Sequence, residues 1–566
     1  MAKNIFENQG FAARLINKFI TYIDGLNIYH LSILFSLLVL AVHPAVTEHV
    51  EFALAASQGI HVSEFNYNFI ARMLDPSSQV SFLQFLLNLN ISPRILQILV
   101  SYLTTLIIVF SILNLFKFIN SSDKYSNLEL LVFFSAIYNV SNPINAALYP
   151  WSPKLGFFEF GNQGMWLCLA SLILLIKNKK LGFLLSGILL SWHMVWFLPI
   201  FLYLFLNFNV IEKKNFLYLF IGLLISFILL HYGNNDFANF VTASASEFNK
   251  TNFSHINFQF VKINDSFWSA HNPLIFGKNI NFYYLFVVSI PIISLNYLDV
   301  PKQLLKFCNI LFLITLAVIF YLEIARYYPL PFSSVLFRAI VNRFFNLIMA
   351  IFLYYFFFFS LNFKINKQKL HEYLFLIALA MSTFFYFKLS HIFRLGLFIF
   401  LFNYFEKKSK YFSIFFISCF MFSEAIKHHR STDYDIFSFM HPNKIEKFLS
   451  SQERDKGYIV GTGIQSFKGL NITTLANSEY FLPTPPLRIN DKYYDIFCYE
   501  SLSFDSKNMH ANYWDVDKCF ESKSKKDWES IFNLTGADYV IVSDKVNLDL
   551  NLVIESDRLR IYSITN

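Results

Sequence analysis

The sequence predicts a mainly α-helical, polytopic transmembrane helix bundle of about 13 spans, with the N-terminus inside, the C-terminus outside and a small C-terminal extracytoplasmic α/β domain. Three observations predict this fold: the composition, the succession of long apolar runs, and the lysines between those runs. Of the 566 residues, 55% are hydrophobic and only 15% are charged. An ordinary soluble domain has about 25% charged residues, so this composition excludes a typical water-soluble fold.

The distribution of charge excludes a nucleic-acid partner. The chain has 46 basic and 38 acidic residues, a net charge of +8. Residues 431–566 contain 15 basic and 20 acidic side chains, which leaves 31 basic and 18 acidic side chains in the first 430 residues. The positive excess therefore lies in short segments between apolar runs, where membrane orientation requires it.

Apolar runs long enough to cross about 30 Å of hydrocarbon recur along the first 430 residues. The predicted spans are 27–45, 95–117, 127–148, 163–177, 181–196, 197–211, 215–232, 281–299, 303–322, 340–361, 370–389, 391–406 and 411–427. The apolar stretch from Leu181 to Val210 is too long for one upright helix, and we divide it near Pro199, with Trp192 and His193 in its middle.

The lysines support this division. With the N-terminus inside, every inner turn contains lysine, as the positive-inside rule requires. These turns contain Lys117 and Lys124; Lys177, Lys179 and Lys180; Lys213 and Lys214; Lys302 and Lys306; Lys364, Lys367 and Lys369; and Lys407, Lys408 and Lys410. A single helix over 181–211 would place most of these lysines outside.

The chain divides into a membrane domain, 1–430, and an extracytoplasmic α/β domain, 431–566. The membrane domain has two long outer loops, 44–94 and 233–280, and loops of that length are uncommon unless they are structured or functional. In the C-terminal domain, short apolar strands at 458–461, 539–543 and 559–564 alternate with helical stretches at 442–450 and 526–533. The predicted location is the inner membrane of the cell, crossed many times, with the C-terminal domain in the periplasm or outside the cell.

The five cysteines fall into two groups. Cys168, Cys308 and Cys419 lie in apolar runs and are expected to be small packing residues. Cys498 and Cys519 lie in the C-terminal domain, and we predict a disulfide between them because that domain faces an oxidising compartment.

The densest group of ionisable residues follows the first span. It contains Glu48, His49 and Glu51, just after Thr47. If Thr47 caps a short helix, the two carboxylates lie on one face at the membrane surface. One of them could then act as a general base. The alternative is an interfacial helix whose charges are only solvated.

A second set of ionisable residues lies at predicted span ends: His193, Glu323, Arg326, Arg338 and Arg343. Arginine suits a phosphate because its planar guanidinium donates paired hydrogen bonds and stays charged. The alternatives are structural: a packed histidine between two tryptophans, and a pairing of Glu323 with one of the arginines.

Together these features resemble the GT-C superfamily of membrane glycosyltransferases, which includes protein mannosyltransferases, oligosaccharyltransferases and aminoarabinose transferases. The shared features are an inside N-terminus, acidic residues directly after the first helix, short paired helices, a second long outer loop and an outside C-terminal domain. The most specific element is the segment from Glu48 to Ala55, followed by Gln58 and Gly59. The segment has Glu48-His49 where the superfamily commonly has an Asp-Asp or Glu-Asp pair.

This resemblance implies an inverting glycosyltransferase that moves a sugar from a polyprenyl-phosphate donor to a glycan, lipid or protein acceptor at the outer face of the membrane. It implies that Glu48 or Glu51, with His49 beside them, is the base or a metal ligand, which makes Mg²⁺ or Mn²⁺ a candidate cofactor. It also implies that Arg326, Arg338 and Arg343 bind the donor phosphate. His193 and Glu323 are candidates for lining the same site.

Two other classes of function fit many spans. A secondary transporter or lipid flippase is one, although such proteins usually show internal repeats and broken helices at the membrane midplane. An O-antigen polymerase or ligase is the other, and those proteins have one dominant outer loop instead of a C-terminal α/β domain.

Overall fold

The computed structural model describes residues 2–42, 93–120, 124–138, 160–232, 282–325, 341–362, 397–402, 413–422, 456–460, 473–477, 516–556 and 559–563, with a few single residues between them. The described chain is mostly helical and ends in a small sheet, which confirms the predicted fold class at that level. Within it, three helical segments are long and apolar enough to cross a membrane: Tyr102–Ile119, Lys302–Ala325 and Phe344–Leu361. The number of spans and their orientation stay predictions.

Eleven α-helices of the described chain lie between residues 2 and 362. They are α1 (Ala2–Gly25), α2 (Ile28–Val42), α3 (Pro93–Ile119), α4 (Asn127–Tyr138), α5 (Phe160–Ile176), α6 (Lys180–Trp192), α7 (Met194–Leu206), α8 (Phe216–Tyr232), α9 (Phe282–Leu295), α10 (Lys302–Ala325) and α11 (Phe344–Asn362). Short 3-10 helices at Lys213–Asn215 and Val341–Arg343 precede α8 and α11. Residues 397–402 and Ser413–Phe422 are also helical. The predicted span 370–389 lies outside the described residues.

The turns that contain lysine come together at one end of the bundle. The side chain of Asn215 donates a hydrogen bond to the main-chain carbonyl of Asn178 at 3.3 Å, so α8 begins beside the turn between α5 and α6. The Lys177 ammonium lies 5.2 Å from the centre of the Phe118 ring, which places the end of α3 there as well. We call this the lysine end.

The N-terminal helices also meet at the lysine end. Asn127, the first residue of α4, donates through its side chain to the main-chain carbonyls of Ile23, Asp24 and Leu26, the last at 2.7 Å. Asn120 and Tyr125 exchange hydrogen bonds across the turn that joins α3 to α4. Because α2 begins two residues after Leu26, it runs away from the lysine end.

The long apolar stretch of the sequence is broken at His193 and not at the proline. His193 has an extended backbone, with φ −162° and ψ 96°, between α6 and α7. Pro199 lies inside α7. The sequence therefore predicts the break correctly but places it several residues too late.

The chain must reverse direction at this break. A continuous helix from Lys180 to Leu206 would be about 40 Å long at 1.5 Å per residue. Only about nine residues lead from Leu206 to Asn215, and an extended chain of that length spans at most about 32 Å. Asn215 nevertheless lies beside Asn178 at the lysine end. α6 and α7 therefore form a hairpin, and His193 lies at its tip, which we call the histidine end.

α6 and α8 lie side by side with their backbones in close contact. A Cβ added to Gly187 would lie 2.5 Å from the amide nitrogen of Leu223. The hydroxyl of Ser226 donates to the carbonyl of Gly187 at 2.7 Å, and the hydroxyls of Ser191 and Ser226 are 2.9 Å apart. Small residues that let helices approach, linked by hydroxyl hydrogen bonds, are typical of packing in membranes, where lipid offers no hydrophobic driving force between helices.

Aromatic side chains fill the core between α3, α4 and α11. The Phe116 ring lies 5.4 Å from Tyr354 and 5.3 Å from Phe358, while Phe133 lies 5.5 Å from Phe358. Most of these pairs meet edge to face, the geometry that the quadrupoles of aromatic rings favour. These phenylalanines therefore serve helix packing.

The C-terminal domain contains a five-stranded sheet of order β2-β1-β3-β5-β4. Its strands are β1 (Gly457–Val460), β2 (Thr473–Asn477), β3 (Tyr539–Ser543), β4 (Asn551–Glu555) and β5 (Leu559–Ser563); α12 (Val516–Ser522) and α13 (Lys525–Thr535) lie between β2 and β3. β1 pairs in parallel with β2 and β3, and the last three strands are antiparallel. The α/β prediction is confirmed for this part of the chain.

The cysteines can be placed in part. Cys168 and Cys308 are free and buried, Cys419 is free and exposed, and Cys519 is disulfide-bonded. Cys498 lies outside the described residues, so its pairing with Cys519 stays a prediction.

Candidate active site

The hairpin tip at the histidine end fits against α5 because α5 carries a glycine there. A Cβ on Gly164 would lie 2.5 Å from Cδ1 of Trp196 and 2.8 Å from Cβ of His193. No larger residue than glycine leaves room for both side chains. Gly164 thus positions His193 and Trp196 over the first turns of α5.

α11 brings a cation to the same place. Arg343 ends the 3-10 helix that leads into α11. The next residue, Phe344, packs edge-on to Trp196 with 5.6 Å between ring centres. The structure therefore brings together two predicted site residues, His193 and Arg343, from elements about 150 positions apart.

Several polar atoms at the histidine end are buried. Within the described residues, Nδ1 of His193 and the indole Nε1 atoms of Trp192 and Trp196 are buried and have no hydrogen-bond partner. An indole N–H can only donate, and a buried donor without a partner costs about 1–3 kcal/mol. With the cation of Arg343 next in sequence to Phe344, which packs on Trp196, these donors favour a ligand that is anionic and rich in acceptors.

Glu323 is buried in the last turn of α10, with 5% of its surface exposed. α10 begins at Lys302, and it also packs against the 3-10 helix that ends in Arg343. The burial of a carboxylate in an apolar helix requires compensation by nearby polar groups, which agrees with a role in a polar site or in an ion pair.

The other predicted site residues lie outside the described part of the chain. They are Glu48, His49, Glu51, Arg326, Arg338 and Cys498. The residues that the structure describes contain no group of three or more His, Cys, Asp or Glu side chains able to hold a metal ion. The predicted carboxylates, Glu48 and Glu51, lie outside those residues.

Two polar residues near the site were missed by sequence reasoning. Gln163, next to Gly164, is buried and donates to the Thr104 hydroxyl of α3 at 2.9 Å. Asn346, in the first turn of α11, is 2% exposed. Each interrupts an apolar run, and that interruption is the signal that could have identified them.

The chain matches no family model, no curated protein and no solved structure.

Proposed function

We propose that this protein is an integral membrane glycosyltransferase that transfers a sugar from a polyprenyl-phosphate donor to an acceptor hydroxyl at the face of the membrane nearest His193. The observation that carries the proposal is the arrangement at the histidine end. There, Arg343 directly precedes Phe344, whose ring packs against Trp196, and Trp196 and His193 lie together over Gly164. The buried indole N–H groups of Trp192 and Trp196 have no partner among the described residues. A phosphate would satisfy those donors and neutralise the guanidinium.

In the proposed reaction, a carboxylate of Glu48 or Glu51 takes the proton of the acceptor hydroxyl. The oxygen then bonds to the anomeric carbon from the face opposite the phosphate, and the bond from that carbon to the phosphate oxygen breaks. The leaving polyprenyl phosphate carries the electron pair and the added negative charge. Arg343 stabilises that charge, and the configuration at the anomeric carbon inverts.

The course of α2 supports a shared location for the two groups. α2 begins beside Leu26 at the lysine end and is 15 residues long, which is about 22 Å. Its last residue, Val42, therefore lies toward the opposite end of the bundle. His193 and Arg343 lie at that opposite end, and Glu48 and Glu51 follow Val42 by only six and nine positions in the sequence.

The proposal includes the partners and the location that the sequence predicts. The donor is a lipid-linked sugar, the acceptor is a glycan, lipid or protein, and the enzyme lies in the inner membrane with its C-terminal domain outside the cytoplasm. A divalent cation, Mg²⁺ or Mn²⁺, would be held by Glu48, His49 or Glu51. The step assigned to Arg343 does not depend on that cation.

The test is sugar transfer by the purified full chain in lipid nanodiscs, supplied with a panel of radiolabelled polyprenyl-phosphate sugars. One of Glu48→Gln and Glu51→Gln removes the general base, and we expect that variant to transfer sugar about 10²–10⁴-fold more slowly, the usual cost of losing a general base. We expect Arg343→Gln to lower it by about 10²-fold or more, because the leaving phosphate loses its cation.

The matched control is Lys213→Gln, which removes an exposed cation at the lysine end. Its transfer rate should equal that of the parent. All variants must show the parental midpoint of thermal unfolding before their rates are compared. Near-parental transfer by both glutamate variants and by Arg343→Gln would contradict the proposal, and lipid translocation without transfer would favour a flippase.

A further inference from the structure

The N-terminal helix α1 carries three kinds of surface in a fixed order. At 100° per residue, one face contains Ile16, Ile20 and Ile23, and the last two are 3% and 2% exposed. The adjacent face contains Leu15, Phe19 and Tyr22, which are 52%, 49% and 61% exposed. We call the second face the apolar stripe.

Basic residues border the apolar stripe on the side away from the bundle. Arg14 and Lys18 lie one turn apart and are both exposed. Around the circumference of α1, the buried isoleucines are therefore followed by the apolar stripe, and the apolar stripe is followed by the basic residues. Such an order is typical of a helix in a membrane interface, where apolar side chains enter the acyl boundary and basic side chains reach the headgroups.

The apolar stripe is continuous with an exposed apolar surface on α2. Phe19 and Ile23 border an apolar crevice of about 140 Å³ that is also lined by Leu34 and Leu38 of α2. On α2 itself, exposed apolar residues at helical spacing, Ile33 and Leu37, extend away from the lysine end. The exposed face of α1 thus borders the same environment as a predicted transmembrane helix.

The location of α1 determines which lipids it meets. α1 ends at Gly25, one residue before Leu26, whose carbonyl is hydrogen-bonded to Asn127 at the lysine end. Lysines gather there in the turns at Lys177 and Lys213. Lys18 and Arg14 lie about 10 Å and 16 Å along α1 from Gly25 at 1.5 Å per residue, and basic residues near a membrane surface are complementary to anionic headgroups.

We propose that α1 is an interfacial anchor that inserts Leu15, Phe19 and Tyr22 into the membrane at the lysine end and binds anionic phospholipid headgroups through Arg14 and Lys18. The proposal does not depend on the glycosyltransferase function. It assigns the exposed face of α1 to phospholipid and not to a second copy of the chain.

The test uses the full chain in nanodiscs, with a polarity-sensitive fluorophore at Phe19→Cys in a Cys419→Ser background. The matched position is Asn17→Cys, on the opposite side of α1. We expect an apolar environment at position 19 and a polar one at 17. We also expect a phosphatidylglycerol with a spin-labelled chain to quench the fluorophore at 19 more strongly than the matching phosphatidylcholine.

Charge removal tests the headgroup contact. Near an anionic surface, one basic residue raises the association constant by about fivefold. The double change Arg14→Gln and Lys18→Gln removes two such residues and should therefore lower the preference for phosphatidylglycerol by up to about thirtyfold. The control pair, Lys213→Gln and Lys214→Gln, removes the same charge from another turn at the lysine end and should lower the preference measured at position 19 by much less. Equal quenching by both lipids in the parent, an equal loss in the control pair, or cross-linking of position 19 to a second copy would overturn the proposal.

Discussion

The side-chain amide of Asn215 lies 3.3 Å from the main-chain carbonyl of Asn178, across 37 positions of sequence. This hydrogen bond joins the turn before α8 to the turn between α5 and α6. Both turns contain lysines. The contact therefore requires α6 and α7 to leave the lysine end and return to it, and it fixes the direction of α8.

The first prediction concerns topology. A membrane-impermeant thiol reagent should label Lys179→Cys and Lys213→Cys from the same side of the membrane, because the Asn215–Asn178 contact places both turns at one end. By the positive-inside rule that side is the cytoplasm. Lys444→Cys in the C-terminal domain should be labelled from the other side.

The labelling is measured in intact cells and in inverted vesicles, with Cys419 replaced by serine. Opposite sidedness of positions 179 and 213 would contradict the hairpin at His193. The same side for 213 and 444 would leave the hairpin intact and would show that the predicted number of later spans is wrong.

Much of this fold could be predicted because hydropathy alone marks a membrane helix. The predicted spans 95–117 and 215–232 agree with α3 and α8 to within about two residues at each end. In the C-terminal domain, predicted strand 539–543 is β3 and predicted helix 526–533 lies within α13. In each case a run of apolar residues or an apolar period fixes the element locally.

The position of the hairpin tip could not be predicted from local sequence. Proline suggested a break near Pro199, yet Pro199 lies inside α7. The break occurs at His193, where the chain packs over Gly164 of α5. That contact is tertiary and about 30 positions distant, so neither propensity nor periodicity contains it. For the same reason, Arg343 and His193 could be predicted as site residues from the sequence, but their proximity in the fold could not.

The second prediction concerns the close contact of α6 and α8. Gly187→Ala should lower the free energy of unfolding by about 1–3 kcal/mol, because the new methyl group would meet the main chain of Leu223, which cannot rotate away. The matched control is Gly25→Ala, where nothing lies within 4 Å of the added Cβ. Thermal unfolding in detergent compares the two. Equal stability of both variants would contradict the backbone contact.

The third prediction concerns the disulfide of Cys519. We expect its partner to be Cys498, which closes a loop of about 20 residues and stabilises the C-terminal domain by about 3 kcal/mol on the chain-entropy model. Cys498→Ser and Cys519→Ser should therefore give the same loss of stability, and the double variant should lose no more than either. Non-reducing peptide mapping identifies the pair. A linkage of Cys519 to any other cysteine would contradict it.

The fourth prediction concerns the start of α13 and its dependence on pH. Ser524 caps this helix: the Asp527 carboxylate accepts hydrogen bonds from the Ser524 hydroxyl at 2.7 Å and from its main-chain N–H at 2.9 Å. These hydrogen bonds favour the ionised carboxylate and lower the pKa of Asp527 below its ordinary value of 3.8. The main-chain N–H of Asp527 in turn donates to the Ser524 hydroxyl, which completes a capping box.

The sign of the pH effect follows from the lowered pKa. The folded domain binds the proton of the Asp527 carboxyl more weakly than the unfolded chain does. The stabilisation by this carboxylate is therefore fully present above the pKa of the unfolded state, which is about 4. It is lost as the pH falls through the lower pKa of the folded state. Hydrogen exchange of the α13 peptide in the full chain, expressed as protection factors, should therefore show decreasing protection below about pH 4.

Two variants separate the capping box from general acid sensitivity. Asp527→Asn should protect α13 less than the parent at about pH 5, and its protection should change little between about pH 5 and pH 3, because the titrating group is gone. Glu529→Gln removes an exposed carboxylate two positions later and should keep the parental pH dependence. If Asp527→Asn retained the parental loss of protection in acid, the carboxylate responsible would lie elsewhere in the domain, and the capping box would not stabilise α13 in the way that its hydrogen bonds indicate.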